Sequence, residues 1–280
     1  MNQATFRNGA TGSFELQNAA TFARGAGQGF FDNQGLLRKT AAGTSIFELD
    51  FITSGSVEID AGALEYRAPG TGRYEQTAGS SQVAVGAELI ATTLDLSGGT
   101  LRVDGELKGN AGPVPQATIT GGALTGDGTV RATNLTTSSA GTLGGTLTID
   151  GNVLSGGILA PTGLLDVDGG LTLQAAGTFT AQLAGTTPGT EYGQVASVST
   201  ATLGGALEVR RAPGFLPQIG QSFTLLDAPT LGSFDTVMLP TGYQWQVTED
   251  PVVISVTGSF LIFADGFESG TTASWSASSP

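Results

Sequence analysis

The chain has 280 residues, a length that fits one or two domains. It contains no Cys and no His, which excludes disulfides, thiol nucleophiles, imidazole bases and the common Cys/His zinc sites. Its 11 basic and 24 acidic residues give a net charge of −13, so a phosphate backbone would be repelled and we expect no nucleic-acid partner. No apolar run approaches the roughly 18 residues of a membrane-spanning helix, so we also expect no membrane span.

A short glycine-bounded segment recurs in the first part of the chain. Its clearest copy is Gly99-Thr-Leu-Arg-Val-Asp104-Gly105, in which apolar and polar residues alternate before an Asp-Gly pair. This pattern is typical of a strand followed by a turn. Similar segments begin at Gly122, Gly145 and Gly163, so that the first two intervals are equal and the third is shorter, and looser copies begin at Gly55 and Gly79.

The repeat favours a solenoid over a sandwich of hairpins. One copy buries too little apolar surface alone, whereas stacked copies share a continuous core. Gly makes up 44 of the 280 residues, and each one disfavours a helix by about 1 kcal/mol relative to Ala. We therefore predict an all-β fold, a right-handed parallel β-helix over residues 1–190, with about seven or eight rungs before the repeat ends.

The sequence changes character from about Glu191, where the repeat stops and aromatic residues and Pro become frequent. An open end of a β-stack is a template for aggregation unless it is covered. We predict that residues 191–258 form a β cap module that covers this end. Residues 259–280 are rich in Ser and Thr and are predicted to be a flexible tail.

Three stretches carry a resemblance to bacterial exported proteins. They are Phe31–Thr40, the cap segments Ala201–Val209, Phe223–Leu226 and Gln244–Val247, and the tail motif Phe263-Ala-Asp-Gly-Phe-Glu-Ser-Gly270 with Trp275-Ser276. On these residues the chain resembles bacterial surface β-solenoid proteins of the autotransporter-passenger type. The resemblance implies secretion or surface display and no particular reaction. The resemblance also implies that the chain is the C-terminal part of a larger protein, and the missing secretory signal would then be a matter of truncation.

The Asp residues of the repeat are the first candidate site. Asp104, Asp127 and Asp150 are expected at equivalent positions on successive rungs, with Asp168 as a further member. The favoured interpretation is that each Asp supports its Asp-Gly turn. The alternative is that calcium bridges the stacked carboxylates, since they would repel one another without it.

A second candidate is the pair Asp166 and Asp168, which alternation places together on the outer face. Paired carboxylates can hydrolyse glycosides, although solvated surface charge is the favoured interpretation. Polysaccharide lyases on β-helices rely on Lys or Arg as the base, and Lys39 and Lys108 are the only lysines here.

Two further surfaces have an ordinary and a functional interpretation. Thr146 and Thr148 on outward positions raise an ice-binding alternative, but ordinary strand propensity is favoured. Phe215, Tyr243 and Trp245 raise a sugar-stacking alternative, but core packing of the cap is favoured.

We predict a non-enzymatic, exported cell-surface β-solenoid, either adhesin-like or a structural spacer. An extracellular glycan or a host or matrix surface is the expected partner, and the chain is expected to be a monomer. We assign no catalytic, cofactor-binding or metal-binding residue. The alternative is a carbohydrate-active enzyme, a glycoside hydrolase or polysaccharide lyase, on the same scaffold.

Overall fold

The computed structural model describes residues 4–23, 29–67, 72–197 and 199–260, and the regular secondary structure in these ranges is all β-strand. The chain winds into a coil whose rungs contribute strands to three faces. Each strand pairs in parallel with the strand of the next rung on the same face. The predicted all-β parallel β-helix is confirmed.

The three faces follow one another along the chain. The first face contains β1 (Ala4–Asn8), β4 (Gly29–Asn33), β7 (Asp50–Thr53), β10 (Arg73–Gln76), β13 (Thr93–Leu96), β16 (Gln116–Ile119), β23 (Leu171–Leu173), β26 (Ala201–Leu203) and β29 (Thr230–Gly232). The second face contains β2 (Ser13–Leu16), β5 (Leu36–Lys39), β8 (Ser56–Ile59), β11 (Ser80–Val83), β14 (Thr100–Val103), β17 (Gly122–Thr125), β19 (Gly141–Gly145), β21 (Ile158–Pro161), β24 (Thr178–Leu183), β27 (Ala206–Arg211) and β30 (Thr236–Met238). The third face contains β3 (Thr21–Phe22), β6 (Thr44–Phe47), β9 (Ala63–Tyr66), β12 (Glu88–Ala91), β15 (Glu106–Lys108), β22 (Leu164–Val167), β25 (Gln194–Ser197) and β28 (Ser222–Asp227).

Two longer strands, β18 (Thr129–Thr137) and β20 (Thr148–Ser155), continue from the third face around a corner onto the first. The last two strands, β31 (Tyr243–Glu249) and β32 (Val252–Ser259), are antiparallel to each other, and β32 also pairs antiparallel with β28. Parallel stacking therefore continues past residue 190 through β30.

The rungs differ in length, and there are more of them before residue 190 than we expected. On the second face the shortest step between register partners runs from Thr142 to Ile158, and the longest runs from Ala206 to Thr236. In the described part of the chain, nine second-face strands, from β2 to β24, lie where we expected seven or eight rungs.

Apolar residues of successive rungs lie directly above one another inside the coil. On the second face the column contains Leu101, Leu124, Leu143, Leu159 and Phe179, all fully buried. Strands of one sheet are about 4.8 Å apart, so each side chain contacts its equivalents above and below. Each buried aliphatic side chain stabilises the fold by roughly 1.5–3 kcal/mol relative to leaving it exposed.

The structure corrects the alignment of the repeat. The copies that begin at Gly55, Gly79, Gly99 and Gly122 contribute β8, β11, β14 and β17 of the second face. The copies that begin at Gly145 and Gly163 instead lead into the third-face part of β20 and into β22. Leu124 is therefore stacked on Leu143 rather than on Leu147. Because every face uses the same alternation, sequence similarity alone does not identify the face.

A short ladder of amides runs inside the coil at the end of the first face. The Asn8 amide nitrogen donates to Asn33 Oδ1 at 2.8 Å, and the Asn33 amide nitrogen donates to Thr53 Oγ1 at 2.9 Å. Asn33 also donates to the carbonyl of Ser56 at 2.9 Å, and its side chain is fully buried. Buried polar groups are tolerated only when they have partners, so this ladder fixes the rungs relative to one another.

We predict that Asn33→Ala lowers the free energy of unfolding by about 2–3 kcal/mol, because it removes three buried hydrogen bonds, one accepted from the Asn8 amide and two donated to Thr53 and to the Ser56 carbonyl. Chemical denaturation of the full chain measures the change. Asn110→Ala is the matched control at an exposed loop position and should stay within about 0.5 kcal/mol of wild type. Equal effects of the two substitutions would contradict a structural role for the ladder.

Lys39 is also buried in the coil, on an inward position of β5 between Leu16 and Ile59. Its Nζ donates to the carbonyl of Ala41. Burial lowers the pKa of the ammonium because an apolar environment disfavours the charged form. The charged form of Lys39 is therefore less favourable in the folded chain than in the unfolded chain.

We predict that Lys39→Met stabilises the chain by about 1–2 kcal/mol at neutral pH, because it removes a buried charge and keeps the volume. The wild-type chain should gain stability as the pH rises from the lowered pKa of folded Lys39 towards 10.5, since only the unfolded state stays protonated there. Denaturation curves of both proteins across this range measure the effect. The prediction is wrong if the difference in the free energy of unfolding between the wild-type chain and Lys39→Met does not become smaller as the pH rises.

Candidate functional site

The outer surface of the third face carries a network of ion pairs in the first half of the coil. Lys108 Nζ is 2.8 Å from Glu88 and 3.1 Å from Glu106, and Arg131 pairs with Glu106 and with Asp150. The hydrogen bond that Lys108 donates to Glu88 contributes most to raising the pKa of Lys108. Burial acts to raise the pKa of Glu106, but the bonds from Lys108 and Arg131 outweigh it and hold the pKa below its usual value.

The charges are distributed unevenly along the chain. Residues 1–150 contain 9 basic and 14 acidic residues, whereas residues 151–280 contain 2 basic and 10 acidic residues. The two basic residues of the second part are Arg210 and Arg211, and Arg210 pairs with Glu208 at 2.7 Å. This second part of the sequence therefore carries more acidic charge than its two arginines can neutralise.

The structure divides the predicted Asp column. Asp104 and Asp127 occupy equivalent corners of adjacent rungs, since they follow the paired strands β14 and β17. Asp150 instead lies beside Arg131 in the register of the third face. Asp168 follows Val167, the register partner of Ile149, and so lies next to Asp150. The four residues thus form two pairs rather than one column.

An open concavity of about 700 Å³ lies on the third face near the end of the coil. Asp166, Ala196 and Asp227 are register partners on three successive rungs and line it. Two strand spacings separate Asp166 from Asp227, or roughly 9.6 Å between Cα atoms. The concavity is completed by Ser197, Ala228, Pro229, Asp250 and Pro251.

Of the predicted Asp166–Asp168 pair, only Asp166 lines this concavity. Both side chains point away from the core, as the alternation predicted. The sequence analysis missed Asp227 and Asp250, which come much later in the chain and share no motif with Asp166. Asp250 Oδ1 accepts a hydrogen bond from the Thr230 amide at 3.0 Å, which connects the β31–β32 turn to the first face.

The aromatic residues predicted for the cap contact the core. The Trp245 ring centroid is 6.3 Å from that of Phe223, and Phe215 meets Phe223 edge-on at 6.1 Å. Tyr243 is buried, and Trp245 Nε1 donates to the carbonyl of Pro240 at 2.9 Å. These side chains pack into or against the core and do not form an exposed flat surface for a sugar.

The lysines and the outward threonines do not form a surface site in the described residues. Lys39 is buried, and Lys108 is held by two carboxylates, so neither lysine is available as a base on the surface. Thr148 has Thr129 and Asp166 as register partners, which does not give the regular Thr array of an ice-binding face. The tail motif and Trp275 lie outside the described residues.

The chain matches no family model, and no curated protein is significantly similar to it. Within the ranges that the structure describes, no group of three or more Asp, Glu, His or Cys residues is arranged to hold a metal ion. None of those ranges forms a helix that is long and apolar enough to cross a membrane.

Proposed function

We propose that this chain is a non-enzymatic, exported β-solenoid of a bacterial cell surface, adhesin-like or a spacer. The observation that carries the proposal is the uninterrupted second face, in which eleven strands of the described chain stack in parallel. Ten spacings of about 4.8 Å give a rod of roughly 48 Å. The resemblance to autotransporter-type surface proteins supplies the bacterial and exported parts of the proposal.

The proposed partner is an extracellular glycan or a host or matrix surface that lies along the side of the rod. An extended face binds through many weak contacts, and a larger array of rungs would multiply them. His and Cys are absent from the chain, which excludes imidazole and thiol nucleophiles, and both lysines are engaged, which weakens the support for a lyase with a lysine base. A monomer remains the expected state.

A glycoside hydrolase is the second candidate, and the acidic concavity is what favours it. Inverting glycosidases hold their two carboxyl groups roughly 6.5–9.5 Å apart, with room for water between them. Asp166 and Asp227 are at a comparable backbone spacing across the small side chain of Ala196. Neither carboxylate has an ion-pair partner among the described residues.

The C-terminal strands are proposed to cap the coil. β32 adds to the edge of β28, and Tyr243, Trp245 and Phe234 contact the core of the last rungs. This arrangement covers an end that would otherwise expose aliphatic side chains and a free strand edge.

A glycan and matrix-protein binding screen of the full chain, followed by a reducing-sugar assay on every bound glycan, distinguishes the two functions. We expect retention of at least one ligand without release of reducing ends. The hydrolase would be established instead if the wild-type chain releases reducing ends and two variants lose this activity at least 100-fold, namely Asp166→Asn and Asp227→Asn. The neighbouring control Asp168→Asn should then keep the activity. If the chain neither binds nor cleaves any of the ligands, the structural spacer is the function that the screen supports.

We predict that Trp245→Ala lowers the free energy of unfolding by about 2–3 kcal/mol and reduces the yield of refolded protein, because it opens the end of the core. Thermal unfolding and refolding yield measure the two effects. Phe260→Ala is the control, since Phe260 is 64% exposed and its ring contributes little to the core. Unchanged yield and stability in Trp245→Ala would refute the capping role.

A further inference from the structure

A groove of about 520 Å³ crosses three neighbouring strands of the second face, β21, β24 and β27. All three strands begin in register, because Ile158, Thr178 and Ala206 are partners. β21 has four residues, whereas β24 and β27 have six each, so the two longer strands extend beyond Pro161 at the end of β21. The groove lies at this step in the sheet surface, and we call it the second-face groove.

The side of the second-face groove that β24 and β27 form is polar. Glu208 and Arg210 line it, and their register partners are Thr180 and Gln182. Arg210 Nε and Nη2 both lie 2.7 Å from Glu208 Oε1. Within the described ranges, this leaves Glu208 Oε2, Arg210 Nη1 and the Gln182 amide without a protein partner. A hydrogen-bond acceptor, a donor and an amide that is both are therefore available to a ligand.

The side of the groove that β21 forms is apolar. Ile158, Ala160 and Pro161 line it, and Ile158 is 39% exposed to solvent. Ala160 adds only a methyl group to the outer surface, which leaves the groove open. Sites for small molecules combine such an apolar lining with a few placed polar groups. A sugar ring has the matching two parts, since its C–H groups contact apolar side chains and its hydroxyls donate and accept hydrogen bonds.

The charges at the groove favour a neutral ligand. The carboxylate of Glu208 and the guanidinium of Arg210 neutralise each other. Residues 151–280 contain 10 acidic and 2 basic residues, so the surrounding field repels an anion. A uronate or a sulfated sugar would therefore bind less well than an uncharged one.

The sheet around the groove does not offer an edge to a peptide. β21 pairs with β19 and β24, and β27 pairs with β24 and β30, so both edges of each groove strand are already paired. A peptide that binds by adding a strand needs a free edge. The side chains of the groove are left as the contacts, and they suit hydroxyl groups.

We propose that the second-face groove binds one neutral sugar unit of an extracellular glycan. Glu208 Oε2, Arg210 Nη1 and the Gln182 amide bind its hydroxyls, and Ile158 and Ala160 contact its C–H groups. This inference rests on the glycan partner proposed above and gives that partner a place on the rod and a chemical class.

Saturation-transfer difference NMR on the full chain tests the groove, with glucose, galactose, mannose and N-acetylglucosamine as neutral probes and glucuronate as the anionic probe. At least one neutral sugar should bind with a millimolar Kd, and glucuronate should bind at least tenfold more weakly. Gln182→Ala and Glu208→Ala should each weaken binding roughly tenfold, because each removes a hydrogen bond to the ligand. Ala160→Phe should abolish binding by filling the groove.

Glu58→Ala is the matched control. Glu58 lies 3.3 Å from Arg38 on the same face, as Glu208 pairs with Arg210, but it does not line the groove. Its loss should leave sugar binding unchanged, and thermal unfolding of each variant checks that the coil is intact.

The proposal fails if no neutral sugar binds, if glucuronate binds as well as the neutral sugars, or if binding survives the three groove substitutions. A matrix protein whose binding is lost in Ala160→Phe would overturn it in favour of a protein ligand. Glycan binding that survives the groove substitutions refutes the groove alone. Absence of binding to every sugar and every glycan refutes the proposed glycan partner as well.

Discussion

Parallel pairing between successive rungs is the constraint on which the rest of this structure depends. Once a strand pairs in register with the strand below, every side chain is stacked on a residue of the previous rung. A side chain at an inward position must then pack against the side chains above and below it and also against those of the other two faces. Identical aliphatic side chains are stacked in the column of Leu101, Leu124 and Leu143. Complementary amide groups form a hydrogen bond between Asn8 and Asn33.

The same stacking acts on the outer surface, where its effect on charge is larger than in an ordinary fold. Outward residues of adjacent rungs are about 5 Å apart, so like charges repel and opposite charges pair across rungs. In the first half of the coil, residues such as Lys108 and Arg131 each contact two carboxylates. In the second half such cations are scarce, and the acidic concavity around Asp166 and Asp227 is the consequence.

The sequence was sufficient for the fold class and insufficient for the register. Alternation, turn glycines and recurrence indicate stacked strands regardless of which face each strand occupies. Register depends on the length of the corners, which vary without a local signal. The corner after Lys108 lengthens the rung that runs from Thr100 to Ala123, whereas the next rung, from Ala123 to Thr142, is shorter. A constant period extrapolated from Asp104 and Asp127 therefore placed Asp150 in the wrong column.

Surface sites on such a rod are difficult to predict for the same reason. The residues that line one concavity come from different rungs, so their separation in sequence is the sum of several unequal rung lengths. Asp166 and Asp227 lie only two rungs apart in space, yet two long rungs separate them in sequence and no motif spans that distance. Adjacent carboxylates in sequence, such as Asp166 and Asp168, are conspicuous but belong to different surroundings. On a solenoid, function is therefore better sought in columns of register partners than in contiguous motifs.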